Sequence, residues 1–207
     1  TIIKEFMQHN LKTICLSGGI ATGKSTCVKI IQRLLPGCVI FDADTCVRDL
    51  YLEDEIQKEL TSRFGCEVVF PNGEINKEAL RNLAFADTSS RQELEDVFHP
   101  RVREECLALL RKTTKNKSSR LFVADIPLLF EKGFDFGQSA NLLVATSGQT
   151  QIERLKNRNA WCDTTVQAVI SAQMPLGKKM ILADSIFWNE GSVEMLEKQC
   201  RRYFSSC

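Results

Sequence analysis

The chain has 207 residues, 43% of them apolar, with 27 Lys and Arg set against 26 Asp and Glu. That length and apolar content suit one substantial core carrying insertions, and the nearly cancelled charge argues against a broadly cationic nucleic-acid surface. Nine cysteines, at 15, 27, 38, 46, 66, 106, 162, 200 and 207, form an odd set without Cys-x-x-Cys spacing, so neither a zinc site nor a disulfide framework is indicated. Most are expected to act as small buried hydrophobes in a reducing compartment. No apolar run reaches the roughly 18 residues of a membrane span, and Thr1 to Asn10 lacks the apolar centre of a signal peptide. The expectation is a soluble cytoplasmic protein, monomeric or weakly homo-oligomeric, that engages neither membrane nor nucleic acid.

Along the chain, Thr13-Ile14-Cys15-Leu16 is a short apolar run with a β-branched start, the pattern of a strand buried on both faces. Gly18-Gly19-Ile20-Ala21-Thr22-Gly23-Lys24-Ser25 follows at once. It matches the G-x-x-x-x-G-K-[ST] spacing of a phosphate-binding loop, in which glycines turn backbone N–H groups inward, Lys adds a mobile charge and the hydroxyl a magnesium ligand. Val28, Ile31, Leu34 and Leu35 then recur at helical spacing until Pro36-Gly37. Strand, glycine turn and helix thus occur in the order the motif requires.

Four further strands are predicted at Cys38-Val39-Ile40-Phe41, Arg120–Ile126, Asn141–Ala145 and Ser185–Trp188, with helical patterns at Gln149–Asn159 and Ser192–Phe204. Alternation of this kind implies a parallel sheet in an α/β fold. Between the second and third strands, 44–117 is charged and helix-periodic, with a turn at Pro71-Asn72-Gly73. It is too long for a simple crossover and reads as a helical insert for a second substrate. The basic, glutamine-rich segment 154–183 could form a flap over the nucleotide.

Candidate chemistry clusters at strand ends, where ligands bind in open α/β sheets. Asp42-Ala43-Asp44 ends the second strand; in an extended segment its two carboxylates would share a side, one taking a proton from an acceptor hydroxyl and the other ordering magnesium-bound water. Capping by Asp44 of a helix from Thr45 is the alternative. Asp125 ends the third strand, where a magnesium-associated carboxylate would sit; a plain polar strand end is the alternative. Glu131 is the weakest candidate. Arg154 and Arg158 are four residues apart and so share one helix face, which could neutralise the transferring phosphoryl group or simply be solvated. His99 precedes Pro100, which suits a helix start and would make His99 a cap or an anion contact. His9 is expected at the surface.

The set Leu16 to Thr26, Asp42-Ala43-Asp44 with Arg48, His99-Pro100 with Arg103, Pro127-Leu128-Leu129-Phe130-Glu131, Gln173-Met174-Pro175-Leu176, Ala183-Asp184 and Asn189-Glu190-Gly191 resembles the dephospho-coenzyme A kinase family through nearly the full length. The resemblance implies transfer of the γ-phosphoryl group of ATP, with Mg2+, to the 3′-hydroxyl of dephospho-CoA, the last step of coenzyme A synthesis. It also implies a phosphate-loop, three-layer α/β/α fold with a parallel five-stranded sheet. The single kinase domain would comprise a nucleotide-binding core (about 11–43, 118–150 and 184–207), a helical CoA-binding insert (about 44–117) and a lid (about 151–183).

Carried onto this sequence, the catalytic residues would be Asp44 as general base, Lys24 and Arg158. The nucleotide would be held by Gly19, Ile20, Ala21, Thr22, Gly23, Lys24, Ser25, Thr26, Arg154, Arg158, Asn189 and Gly191, with the last pair near adenine. Asp42, Asp44, Arg48, His99 and Arg103 would face the acceptor, and Ser25 and Asp125 would hold Mg2+. Three departures stand out. Ala21 replaces a frequent loop glycine and is expected to avoid positive φ; Asn159 replaces a usual Asp, removing a partner of the lid arginines; Ser17 replaces a commoner Thr. The competing readings are another phosphate-loop kinase, for nucleoside monophosphates or shikimate, and a GTP-dependent switch. The switch is disfavoured because neither Asn-Lys-x-Asp nor an Asp-x-x-Gly after the third strand is present.

Overall fold

A computed structural model describes residues 11–116 and 119–205. Thr1–Asn10 with His9, residues 117 and 118, and Ser206 with Cys207 lie outside the described residues, so the expectations for them are not addressed. Five strands, β1 (Lys12–Gly18), β2 (Val39–Asp42), β3 (Leu121–Asp125), β4 (Ala140–Ala145) and β5 (Ser185–Trp188), form a parallel sheet in the order β2-β3-β1-β4-β5. Central β1 pairs in parallel with β3, Leu16 opposite Asp125, and with β4, Gly18 opposite Val144. The chain moves from β1 out to β2 and back to β3 on one side, then crosses to β4 and β5. The loop after β1 therefore lies at the point where the strand order reverses, the ligand position of open α/β sheets.

The helices are α1 (Lys24–Leu34), α2 (Ala43–Leu50), α3 (Asp54–Phe64), α4 (Lys77–Ala86), α5 (Thr88–Lys115), α6 (Leu129–Lys132), α7 (Gly148–Asn159), α8 (Asp163–Ser171), α9 (Leu176–Leu182) and α10 (Val193–Ser205). β1 and β3 are buried on both faces, as their unbroken apolar runs require. Their side chains Ile14, Leu16, Leu121 and Val123 join Leu142, Val144 and Phe187 with Cys27, Ile30 and Ile31 of α1 and Leu196 and Cys200 of α10 in one core. Burying this apolar surface, at about 25 cal/mol per Å2, fixes α1 behind the loop it follows.

The chain divides into two compact units, Thr1–Phe41 with Leu110–Cys207, and Asp42–Leu109. The first contains the sheet, the glycine loop and α7 to α10. The second is helical apart from a short 3-10 turn at Cys66–Val68 and an antiparallel bridge between Val69 and Ile75 around the turn at Pro71-Asn72-Gly73.

Pro100 does not start a helix. It lies inside α5, where it forgoes a backbone hydrogen bond at a cost of about 3 kcal/mol. The buried side chains Val97, Phe98, Val102, Cys106 and Leu110 continue through it along one helical face. Packing of that face outweighs the local preference of proline. His99 is consequently a mid-helix residue rather than a cap.

Candidate active site

The glycine loop joins β1 to α1 by a turn at 20–22 in which Thr22 N–H and Oγ1–H both reach the Gly19 carbonyl, at 3.3 and 2.9 Å. Gly23, at φ +97°, is the N-cap of α1. A Cβ there would lie 2.1 Å from Asn189 Nδ2, so glycine is required by space as well as by φ. Among the described residues no side chain caps α1, as is also true of α3, α6, α8 and α9. What sets α1 apart is the glycine loop before it, and its first N–H groups are open to an anion, which the helix dipole also favours.

Ala21 has φ +59°. The expectation that it avoids positive φ is therefore wrong. Left-handed backbone costs a non-glycine residue about 1–2 kcal/mol, and contacts distant in sequence hold it there. Ile20 N donates to Gln173 Oε1 (2.9 Å), and Gln151 Nε2 donates to Ile20 O (2.7 Å). Arg154 Nη1 donates to the carbonyls of Ala21 and Thr22, both at 3.3 Å, while its Nη2 donates to Asn189 O at 2.9 Å. Asn189 is buried and its Nδ2 donates to Thr22 O at 2.8 Å. The loop backbone is thus gripped by side chains from α7, from the segment before α9 and from the end of β5.

Lys24 Nζ forms an ion pair with Asp125 Oδ1 at 2.5 Å, with side-chain exposures of 14% and 8%. This pair links the loop to the end of β3 and places an oxygen donor beside the mobile charge. Ser25 and Thr26 open α1, and Ser25 is exposed. Among the described residues no three of His, Cys, Asp and Glu converge to hold a metal by themselves. The available donors, a serine hydroxyl and a carboxylate, are hard oxygen ligands, which suit Mg2+ because it takes few protein ligands alongside phosphates and water.

Arg158 lies one turn beyond Arg154 on α7, is exposed, and donates through Nε to Asn159 Oδ1 at 2.9 Å. Asn159 therefore supplies a partner to Arg158 rather than removing one. Ser17 Oγ donates to Pro127 O at 3.1 Å, a bond that a serine makes as readily as a threonine. Gly191 lies in the turn before α10. Next to it, Glu190 accepts from Ser147 N (2.8 Å), Ser147 Oγ (2.7 Å), Thr150 Oγ1 (2.5 Å) and Thr146 Oγ1. These donors, the Ser147 N–H first, pull its carboxyl down to about 2 from the ordinary 4.5.

In the helical unit, Asp42 rather than Asp44 is the helix cap: its Oδ1 accepts from Thr45 N at 2.9 Å, and α2 begins two residues earlier than expected, at Ala43. The two carboxylates consequently do not share one side of an extended segment. Asp42 is occupied by capping, and Asp44 is an exposed first-turn residue of α2. Arg48, one helical turn on, donates to Thr45 Oγ1 at 2.6 Å. His99 and Arg103 are four apart on α5, both exposed and on one face. Burial, with Glu105 adding to it, pushes the Cys46 thiol of α2 up to about 11, so it is a neutral packing group.

Sequence reasoning missed Gln151, and did not see what Gln173, Lys179 or Glu190 do. One signal was available: Gln151 and Leu155 occupy the same buried face of α7, and a glutamine on an otherwise apolar face needs a hydrogen-bonding partner.

A parallel sheet with a glycine loop at its switch point, leading straight into a helix, defines a phosphate-loop α/β fold. A model of the dephospho-CoA kinase family matches residues 12–195. Similar proteins include the dephospho-CoA kinase of Geobacillus kaustophilus, 35% identical over 192 residues that cover 90% of this chain and 92% of the relative. That of Wolinella succinogenes is 36% identical over 190 residues, 91% of each. Among solved structures, TT1252 of Thermus thermophilus superposes with a TM-score of 0.79 at 30% identity, covering 96% of this chain and 98% of that one. The chain belongs to the dephospho-CoA kinase family, and is an ATP-dependent kinase that phosphorylates dephospho-CoA in coenzyme A biosynthesis.

Proposed function

We propose a division of labour for this reaction in which the loop unit holds the donor and the helical unit the acceptor. The observation that carries it is the loop at 18–25, with its backbone held from outside and the N–H groups opening α1 left uncapped. Gly19, Ala21, Gly23 and Thr26 would offer backbone N–H groups to the ATP phosphates, Ile20 and Thr22 would shape the loop around them, and Lys24 would follow the β- and γ-phosphates. Asn189 and Gly191 would border the adenine. Arg158, exposed on α7, would meet the developing charge, while Arg154 keeps the loop carbonyls turned away from the anion. Ser25 and Asp125 would hold Mg2+, whose chemistry is to neutralise phosphate charge.

Asp44 would accept the proton of the 3′-hydroxyl as its oxygen attacks the γ-phosphorus and ADP leaves. Support comes from its place in the first turn after β2, exposed and not spent on capping. Asp42 would orient that turn, and Arg48, His99 and Arg103 would bind anionic parts of the acceptor. The insert at about 44–117, most of which falls within the compact unit Asp42–Leu109, would receive dephospho-CoA, and 151–183 would act as a lid. The protein would act in the cytoplasm as a monomer or weak homo-oligomer without nucleic acid or membrane. The balanced charge favours this, and no described helix is long and apolar enough to cross a membrane.

Incubating the protein with ATP, magnesium and dephospho-CoA, beside parallel reactions with nucleoside monophosphates or shikimate, tests the assignment. CoA carrying a new 3′-phosphate is expected. Preferential turnover of a nucleoside monophosphate or shikimate by folded protein would overturn it.

A further inference from the structure

The loop apex presents an unusual problem: an alanine at φ +59° in a segment that must keep its N–H groups aimed at phosphates. The two polar groups of Ile20, immediately before it, are both taken by side chains. Gln173 accepts the N–H and Gln151 donates to the carbonyl. Gln151 is 5% exposed, and a Cβ on Gly19 would come within 2.9 Å of its amide, so the glutamine fits closely against the loop backbone.

Gln173 is itself seated. The next N–H, of Met174, donates to Glu131 Oε1 at 3.1 Å, and the same oxygen lies 2.6 Å from Lys179 Nζ, whose side chain is fully buried. That contact is an ion pair whose alignment falls short of a hydrogen bond, and Glu131 Oε2 is buried with no hydrogen-bond partner among the described residues. An ammonium enclosed this way is held by the charge opposite it, so α9, α6 and the residues between α8 and α9 are tied at one point.

We propose that Gln151 and Gln173 are positioning residues that clamp the Ile20 peptide groups and thereby hold Ala21 in its left-handed conformation. The Lys179–Glu131 pair sets Gln173 on the loop. Neither glutamine transfers a proton or phosphate; each acts by keeping the loop N–H groups in the orientation that ATP needs. In a chain with glycine at 21 that orientation would cost less, so the clamp has more strain to offset with alanine there. The inference rests on reading the loop as the ATP site.

Steady-state kinetics on Gln173→Met, which keeps volume and removes the acceptor, provides the test. KM for ATP is expected to rise about tenfold, the size of one lost hydrogen bond, while KM for dephospho-CoA stays within about twofold. In an Ala21→Gly background the same substitution should raise KM for ATP only about twofold, because the strained conformation no longer needs holding. A merely structural glutamine would shift both KM values, or neither, and would be indifferent to residue 21. Any of these results in folded protein overturns the clamp. Should Gln173→Met not fold, Gln151→Met is read by the same criteria. An unsubstituted protein unable to bind ATP would overturn the assignment of the loop itself, whereas normal ATP binding with an insensitive Gln173→Met overturns only the clamp.

Discussion

The two units handle their polar groups differently. Around the phosphate loop, side chains far away in sequence are spent on backbone groups: Gln151, Arg154, Gln173 and Asn189 all end on residues 20–22. In the helical unit, Asp44, His99 and Arg103 are exposed, and Asp42 and Arg48 form hydrogen bonds with Thr45 nearby. The difference follows from what each ligand offers. Phosphates are compact anions, recognised by N–H groups whose direction must be fixed in advance. An extended acceptor can be gripped by long charged side chains that settle when it arrives.

The comparison breaks most forcefully at the buried ion pair. Lys179→Met leaves Glu131 charged and enclosed and is expected to destabilise the protein by about 3–5 kcal/mol, seen as a lower midpoint in urea unfolding. Adding Glu131→Gln removes the stranded charge while keeping an acceptor for Met174 N, and should recover much of the loss. Failure of the double variant to recover would mean that packing, not charge, sets this point.

Next in size is Asp44→Asn, expected to lower kcat by on the order of 10²-fold with ATP affinity unchanged. Unchanged turnover would move the proton acceptor elsewhere. Ala21→Gly should raise stability by about 1 kcal/mol through relief of the left-handed alanine, measurable as a higher Tm; a lower Tm would mean that chain entropy outweighs the strain. The smallest effect concerns pH. The Glu190 carboxyl titrates near 2 in the folded protein against an ordinary 4.5, so its contribution is complete above about pH 4.5 and fades as pH falls toward 2. The Tm gap between unsubstituted protein and Glu190→Gln should therefore be largest at neutral pH and narrow on acidification. A constant gap would sever Glu190 from that titration.

Most of the architecture could be read from local pattern. Buried strands announce themselves as short apolar runs, and the Ser185–Trp188 strand is found at its expected bounds. The loop carries its own signature because glycine, lysine and serine are needed at fixed offsets. The failures at Ala21 and Lys179 involve partners distant in sequence, whereas those at Pro100 and Asp42-Ala43-Asp44 are local. Ala21 looked unable to take positive φ because nothing at residues 18–25 shows that positions 151, 154 and 173 will grip its neighbours. Pro100 looked like a helix start because the local rule omits the buried face running from Val97 to Leu110. At Asp42-Ala43-Asp44 the error was two residues of register: the helix begins at Ala43, so the cap moves to Asp42 and the two carboxylates part company. Lys179 gave no local hint, since a lysine in an ordinary helical segment reads as solvated until Glu131 is brought against it.

Hydrogen exchange followed by mass spectrometry, on the free protein and with an ATP analogue or dephospho-CoA added separately, tests the division of labour most directly. The account predicts that the Ile20 amide is already slowed in the free protein by its bond to Gln173 and that the other amides of 19–23 slow when the ATP analogue is added. Dephospho-CoA alone should slow 42–51 and 99–106 instead. Protection of the loop by dephospho-CoA, with the helical unit unchanged, would contradict the assignment of donor and acceptor to these two regions.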